Sequence, residues 1–150
     1  MLIRAFCSAD FETLYRIDQA CFPTGISYSR EELSGYIRYR GAKTWVAESD
    51  GRIVGFLIAC KAPLRAGHIV TIDVIETARR SGIGKAMMQA CEDWARAESL
   101  RRLSLETAAD NVCAQAFYAR LGYAKVDEIP GYYSDGTTAW VLVKQLIVDS

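Results

Sequence analysis

The chain is poor in the residues that build metal centres and disulfide frameworks. It has one histidine, His68, and five cysteines at 7, 21, 60, 91 and 113, none of them in a C-x-x-C pair. An odd, scattered set of thiols makes a poor disulfide framework, and a lone histidine leaves no zinc ligand set. The cysteines read as small buried hydrophobes in a reducing compartment, and no metal is expected. Net charge is missing too, because 18 Lys and Arg balance 18 Asp and Glu. That balance lacks the basicity a nucleic acid or an anionic membrane selects, so neither is expected as a partner. No apolar run approaches a membrane span, and the N-terminal stretch MLIRAFCSADF is charged too early for a signal peptide. A cytoplasmic protein is expected. Repeats, low-complexity tracts and linkers are absent as well.

What remains is ordinary globular material: 150 residues, 51% hydrophobic and 24% charged. This suits a single domain over residues 1–150, as a monomer or a homodimer, burying roughly two-thirds of its unfolded surface.

The chain is organised around His68 to Trp94. Ile69, Val70, Ile72, Val74 and Ile75 form a β-branched run suited to a strand buried on both faces. From Ile83 the period becomes helical: Ile83, Met87, Ala90, Cys91 and Trp94 share one side, and Lys85, Gln89, Asp93 and Arg96 the other. Between them lies Arg79-Arg80-Ser81-Gly82-Ile83-Gly84-Lys85. Its glycines permit a tight turn and close approach to the main chain. The helix behind it offers unpaired amides and the positive end of its dipole, and Arg79, Arg80 and Lys85 add full charges. Such a turn is suited to a pyrophosphate. It is not a dinucleotide fingerprint, which needs a third small residue where Met87 stands. Nor is it a P-loop, since one residue separates the glycines and Ala86 follows Lys85.

The flanks read in order. Leu2 to Phe6 is a strand, and Ser8 caps a helix running to about Phe22. Ser29-Arg30-Glu31-Glu32 has capping-box spacing and opens a second, short helix. The intervening Phe22 to Ser29 is an apolar, aromatic loop that either folds onto the core or faces substrate. Lys43 to Glu48 and Arg52 to Lys61 form a hairpin around Asp50-Gly51, and Pro63 to Gly67 leads to the central strand. Arg101 to Glu106 alternates as a strand. A helix opened by Asp110 or Asn111 ends at Gly122, and Tyr123 to Ile129 and Thr138 to Leu146 are the last strands. The expected fold is an α/β sandwich with a mixed, centrally splayed sheet of about six or seven strands and about four helices. Ligand should sit at the C-terminal strand ends of its βαβ unit.

R-x-x-G-x-G, Arg79 to Gly84, after a strand and opening a helix, resembles the coenzyme-A pyrophosphate loop of the GNAT superfamily of N-acetyltransferases. Glu106, Asn111, Ala116, Tyr118 and Leu121-Gly122-Tyr123 resemble that superfamily's second signature, at the right distance downstream. Within it the chain is similar to the RimI-like family, which acetylates protein N-termini. Phe22-Pro23 with Tyr28-Ser29, Gly131 to Gly136 and Leu105-Glu106 carry that likeness. Thr137-Thr138, Ile75-Glu76 and Asp73 depart from the family pattern.

The resemblance implies acetyl-CoA as co-substrate, lying in a V-shaped gap between the central strand and the strand that holds Glu106. Ile72, Asp73 and Val74 would line its pantetheine arm, and main-chain groups of Ile72 and Val74 would pair with it. Arg79, Arg80, Ser81, Gly82, Ile83, Gly84 and Lys85 would hold the pyrophosphate, and Asn111 would bind the arm from the far side. Glu106 would take the amine's proton, directly or through water, and Tyr118 would protonate the departing thiolate. From their positions alone, Glu106 is a solvated strand end and Tyr118 a core aromatic. Asp73 is a second candidate base, and Cys113 as an acetylated nucleophile is unnecessary.

The acceptor is a peptide or protein N-terminus or, alternatively, a small amine such as a polyamine, amino acid or antibiotic. A more remote alternative is a non-catalytic acyl-CoA-sensing domain. Phe22, Tyr28, Tyr132 and Tyr133 are the expected acceptor-binding residues. An α-amine asks about 3 kcal/mol less of the base than a lysine amine does, given pKa values near 8 and near 10.4.

Overall fold

The computed structural model describes residues 1–146. Strands are β1 (Leu2–Ala5), β2 (Ala42–Ser49), β3 (Arg52–Ala62), β4 (Ala66–Val74), β5 (Arg102–Ala108), β6 (Ala124–Ile129) and β7 (Ala139–Gln145). Helices are α1 (Phe11–Cys21), α2 (Arg30–Arg38), α3 (Ile83–Ala97) and α4 (Val112–Arg120), with single 3₁₀ turns at Ser8–Asp10 and Glu76–Ala78. All seven strands form one sheet in the order β1-β2-β3-β4-β5-β7-β6. Its faces are covered separately. Leu14, Ile17 and Leu33 of α1 and α2 pack with Val46, Phe56 and Ile58 on one side. Met87, Met88, Cys91 and Ala95 of α3, joined by Tyr118 of α4, pack with Leu57, Leu103 and Leu105 on the other. Edge strand β6 is exposed at every residue and carries Lys125, Asp127 and Glu128, which keep that edge from pairing with another chain.

Several local signals act as their chemistry dictates. Asp50 and Gly51 both have positive φ, 53° and 74°, as a tight hairpin turn requires. Ser29 Oγ accepts the Glu32 amide and Glu32 accepts the Ser29 amide, closing the capping box of α2. Asn111, rather than Asp110, caps α4 by accepting the Ala114 amide at 3.1 Å.

Two expectations need correcting. Ser8 does not cap α1; it begins a 3₁₀ turn. Asp10, at the end of that turn, accepts the Cys7 amide and both Arg4 guanidinium nitrogens at 2.9 Å each. Its carboxylate makes no side-chain cap of α1 and instead ties the turn to β1 through the arginine fork. The stretch from Pro63 to Gly67 is not all connector either. The β3–β4 ladder continues to Ala62 and Ala66, leaving only Pro63 to Arg65 as the turn, with Leu64 and Arg65 at positive φ. Gly67 is therefore a strand residue, and a Cβ there would stand 2.6 Å from Leu103 Cδ2. Only glycine lets β4 and β5 meet at that point.

The β4–β5 pairing decides the site. These parallel neighbours are laddered only from Ala66 with Arg102 to His68 with Ser104. Beyond His68 they diverge, while β4 stays paired to β3 as far as Val74 and β5 to β7 as far as Ala108. A wedge opens in the middle of a continuous sheet.

Candidate active site

Backbone direction along the wedge follows from one hydrogen bond. Ile75 N–H donates to Val54 O at 2.9 Å. In an antiparallel ladder such pairs alternate. With Gly55 opposite Val74 and Leu57 opposite Ile72, the main-chain groups of Ile72 and Val74 point away from β3, into the wedge. The Val74 carbonyl is already engaged there, accepting Arg79 Nε at 2.9 Å and Cys21 Sγ at 3.4 Å. Arg79 thus folds back against the end of β4 and orders the loop behind it. Asp73 is turned differently. It is opposite Phe56, 1% exposed, and on the α1 side of the sheet, where Thr71 Oγ1 donates to it at 2.6 Å.

The loop from Arg79 to Lys85 winds through two left-handed residues, Arg80 at φ 64° and Gly82 at φ 86°. Successive amides in such a winding form an anion-binding concavity, and α3 begins directly behind it at Ile83. Ser81 Oγ donates to Ala78 O and closes the loop from below. The two glycines play different parts. A Cβ on Gly82 would meet nothing within 4 Å, whereas one on Gly84 would stand 3.2 Å from the Phe117 ring. Gly84 therefore allows α3 to pack on α4, and Gly84→Val would disturb that contact as well as the loop. Gly82→Ala is the cleaner probe. A left-handed alanine costs about 1–2 kcal/mol. Acetyl-CoA affinity by calorimetry is therefore expected to fall about ten-fold with the fold intact by circular dichroism. Unchanged affinity would remove the loop from the cofactor's path.

On the opposite wall Glu106 is 16% exposed, and its Oε1 is a meeting point. His68 Nε2 lies 2.7 Å from it, and the Tyr132 hydroxyl donates to it at 3.3 Å. Burial pulls the His68 imidazole down, but hydrogen bonds to Cys60 and Glu106 and the Glu106 charge outweigh this and carry it to about 9. At neutral pH the imidazole is then protonated beside Glu106. The sequence reading passed over His68 because a lone histidine at a strand start has no local signature. Its one available signal was that it opens the strand whose neighbour carries Glu106.

Tyr118 sits on α4 with its ring buried, in edge contact with Phe117 and Tyr123 at centroid distances of 5.2 and 6.0 Å. Burial, and then the nearby Asp73 charge, keep its phenol well above the ordinary range, so it stays protonated. Its hydroxyl is not among the sealed, unpartnered polar atoms. Asn111 uses Oδ1 as the α4 cap. Cys113 is exposed on the first turn of α4.

The two aromatic loops come together. Ser134 donates to Gly25 O from its amide at 3.2 Å and its hydroxyl at 2.7 Å, tying the β6–β7 loop to the α1–α2 loop. Tyr28 reaches beneath them, its hydroxyl donating to Val70 O at 3.3 Å and its ring tilted on Tyr36 at 5.0 Å. Tyr132 and Tyr133 meet edge to face at 5.0 Å, and Phe22 begins the first loop, its amide donating to Asp18 O. A cavity of about 270 Å³ is lined by His68 together with Tyr36, Tyr39, Cys60 and Val70. Among the described residues no group of three or more His, Cys, Asp or Glu could hold a metal ion. No helix among them is long and apolar enough to cross a membrane.

A sheet wedged open between two parallel strands, an anion-binding turn at one strand end and a carboxylate on the facing strand define an acyl-CoA-dependent N-acetyltransferase. Residues 11–123 match the Acetyltransferase (GNAT) family, and the chain belongs to it. It is 32% identical to an uncharacterized N-acetyltransferase of Methanocaldococcus jannaschii, over 97% of this chain and 92% of that protein. It is 28% identical to an N-alpha-acetyltransferase of Sulfurisphaera tokodaii, over 91% and 88%. Among solved structures, Ard1 from Thermoplasma volcanium superposes with a TM-score of 0.88 at 28% identity, covering 98% of each chain. The protein is an acetyl-CoA-dependent N-acetyltransferase.

Proposed function

We propose that this enzyme acetylates the N-terminal α-amine of a peptide or protein, with Glu106 and His68 removing the amine's proton and Tyr118 serving the leaving thiolate. The observation that carries the reading is the convergence of His68 and Tyr132 on Glu106 Oε1, at the mouth of the wedge and under two bridged aromatic loops. N-alpha-acetyltransferases among the relatives support the same acceptor class.

In this reading the pantetheine arm lies along β4 beside Ile72 and Val74, and the pyrophosphate takes the amides from Arg80 to Lys85. Asn111 approaches the arm from α4. The acceptor enters as an ammonium, attracted to Glu106. Its positive charge beside His68 favours loss of the imidazolium proton to solvent, and the freed Glu106–His68 pair then takes a proton from the ammonium. The neutral nitrogen attacks the thioester carbon: a C–N bond forms and the C–S bond breaks. The electron pair leaves on sulfur, which Tyr118 hydrogen-bonds and supplies with a proton replaced from solvent, while the newly bonded nitrogen releases its second proton to solvent. Phe22, Tyr28, Tyr132 and Tyr133 hold the peptide main chain between the loops.

A panel of peptides with varied first residues, beside a polyamine, an amino acid and an aminoglycoside, tests the acceptor by release of free CoA. Peptides are expected to be turned over and small amines not. Activity on small amines alone would overturn the peptide reading, and no thiol release with any amine would overturn catalysis.

The pH dependence follows from His68. Activity requires its proton to leave, so kcat/KM is expected to rise with pH towards an inflection near 9. The stability linkage has the opposite direction. A histidine raised above its unfolded value stabilises the fold fully below about pH 6.5, and this is lost as pH rises through about 9. His68→Gln should remove the upper inflection and leave one nearer the acceptor amine, at about 8. An unchanged profile would free His68 from the proton path.

A further inference from the structure

Two buried carboxyl groups lie outside the chemistry described so far. Asp18, in the last turns of α1, is 0% exposed, and Asp73, in the middle of β4, is 1% exposed. The end of α1 that carries Asp18 lies on β4 beside Asp73, with Cys21 Sγ donating to Val74 O at 3.4 Å, and the Asp18 carboxyl raises the pKa of Asp73. Each uses one oxygen conventionally. The Tyr28 amide donates to Asp18 Oδ2 at 2.7 Å, and the Thr71 hydroxyl donates to Asp73 Oδ1 at 2.6 Å. Each also keeps one sealed oxygen, Asp18 Oδ1 and Asp73 Oδ2, for which no donor exists among the described residues. Two buried, unpartnered acceptor oxygens side by side are costly, and two adjacent buried anions more so. A single proton removes both problems: one carboxyl donates, the other accepts, and one negative charge remains.

We propose that Asp18 and Asp73 share one proton, and that this acid pair is the positioning element that fixes the acceptor loop to the strand carrying acetyl-CoA. The links run in both directions from the pair. Asp18 holds the Tyr28 amide, Tyr28 in turn holds Val70 O, and the next residue, Ser29, caps α2. Asp73 stands between Ile72 and Val74, whose main-chain groups face the wedge. The loop closing over the acceptor and the strand along the cofactor therefore share one hydrogen bond.

The surroundings suit a single charge. Arg79 is the cation that faces the pair, held at the end of β4 by Val74 O. Cys21, whose thiol burial pushes up to about 11, and the Tyr28 and Tyr118 phenols, pushed higher still by burial, are all neutral. Burial and the neighbouring Asp18 also hold the Asp73 carboxyl well above the usual carboxylate range. The linkage sign follows. The folded state keeps a proton that the unfolded chain releases near pH 4, so this pair makes the protein less stable as pH rises from there. Retaining it at that cost is consistent with a positioning role.

The role in holding the acceptor rests on the proposed function, whereas the shared proton does not, so two readouts separate them. The first is infrared spectroscopy of protein with ¹³C-labelled aspartate carboxyl groups. A protonated carboxyl band is expected at neutral pH in the wild type and should vanish in Asp73→Asn. No such band would overturn the shared proton. The second is kinetics. Asp73→Asn supplies a permanent N–H donor to Asp18, so it should raise the peptide KM less than Asp18→Ala does and gain stability over the wild type between about pH 4 and about pH 7. Asp18→Ala removes the link and should raise the peptide KM about ten-fold with acetyl-CoA affinity unchanged. Equal loss in Asp73→Asn and Asp18→Ala, or equal weakening of peptide and acetyl-CoA by Asp18→Ala, would overturn the positioning role. A retained infrared band with no peptide turnover would leave the proton pair standing and sink the acceptor reading.

Discussion

Glu106→Gln is expected to lower kcat/KM for the acceptor about 10³-fold, within the range general-base groups contribute. Glutamine keeps the volume and an oxygen that the Tyr132 hydroxyl can still reach, so the loop has no reason to move. What it loses is a group that can accept a proton and a counterion for His68. The imidazole should therefore fall from about 9 towards its ordinary value. Histidine ring resonances followed by NMR across pH would show this directly, in the same protein sample used for turnover. Acetyl-CoA affinity should not change, because the carboxylate lies on β5, across the wedge from the proposed cofactor strand. Wild-type turnover in Glu106→Gln would return Glu106 to a half-buried structural partner of His68.

Tyr118→Phe is expected to reduce turnover about 10²-fold with little change in stability. The ring fills a position between Phe117 and Tyr123 that phenylalanine fills equally well. Only the hydroxyl is removed, and among the described residues it makes no hydrogen bond whose loss would be felt. Because burial keeps the phenol protonated, it is always available as a donor, but it is a weaker acid than the thiol it serves. Its contribution is a hydrogen bond to sulfur as charge builds during C–S cleavage, completed by proton return from solvent. A thioester with a more acidic leaving thiol should depend less on it, so the variant's deficit should shrink with such a substrate. A deficit independent of the leaving group, accompanied by a lower Tm, would assign Tyr118 to packing.

How much of this was legible beforehand depends on the range of the interaction involved. The strand, turn and helix from His68 to Trp94, the Ser29–Glu32 box and the Asp50-Gly51 turn rest on hydrogen bonds or periodicities within a few residues. The sequence determined these by itself. Glu106 and Tyr118 stood out only through the resemblance to the GNAT signatures, whereas the loop from Arg79 to Lys85 was also marked by its glycines, its charges and its place between strand and helix.

Tertiary structure decided what those residues touch. His68 reaches Glu106 across 38 positions of sequence, and Tyr132 reaches it across 26. Both meetings depend on where the β4–β5 ladder stops and on the Ser134–Gly25 tie. Asp73 looked like a possible base because its strand borders the site. The β3 register sets its carboxyl on the α1 side of the sheet, where it meets Thr71 and the influence of Asp18. Gly84 looked like a residue kept small for the cofactor, yet its lack of a side chain admits Phe117 of α4. Side-chain alternation along a strand can be read from the sequence. The face that alternation selects, and the neighbour it meets there, exist only once the strands have paired.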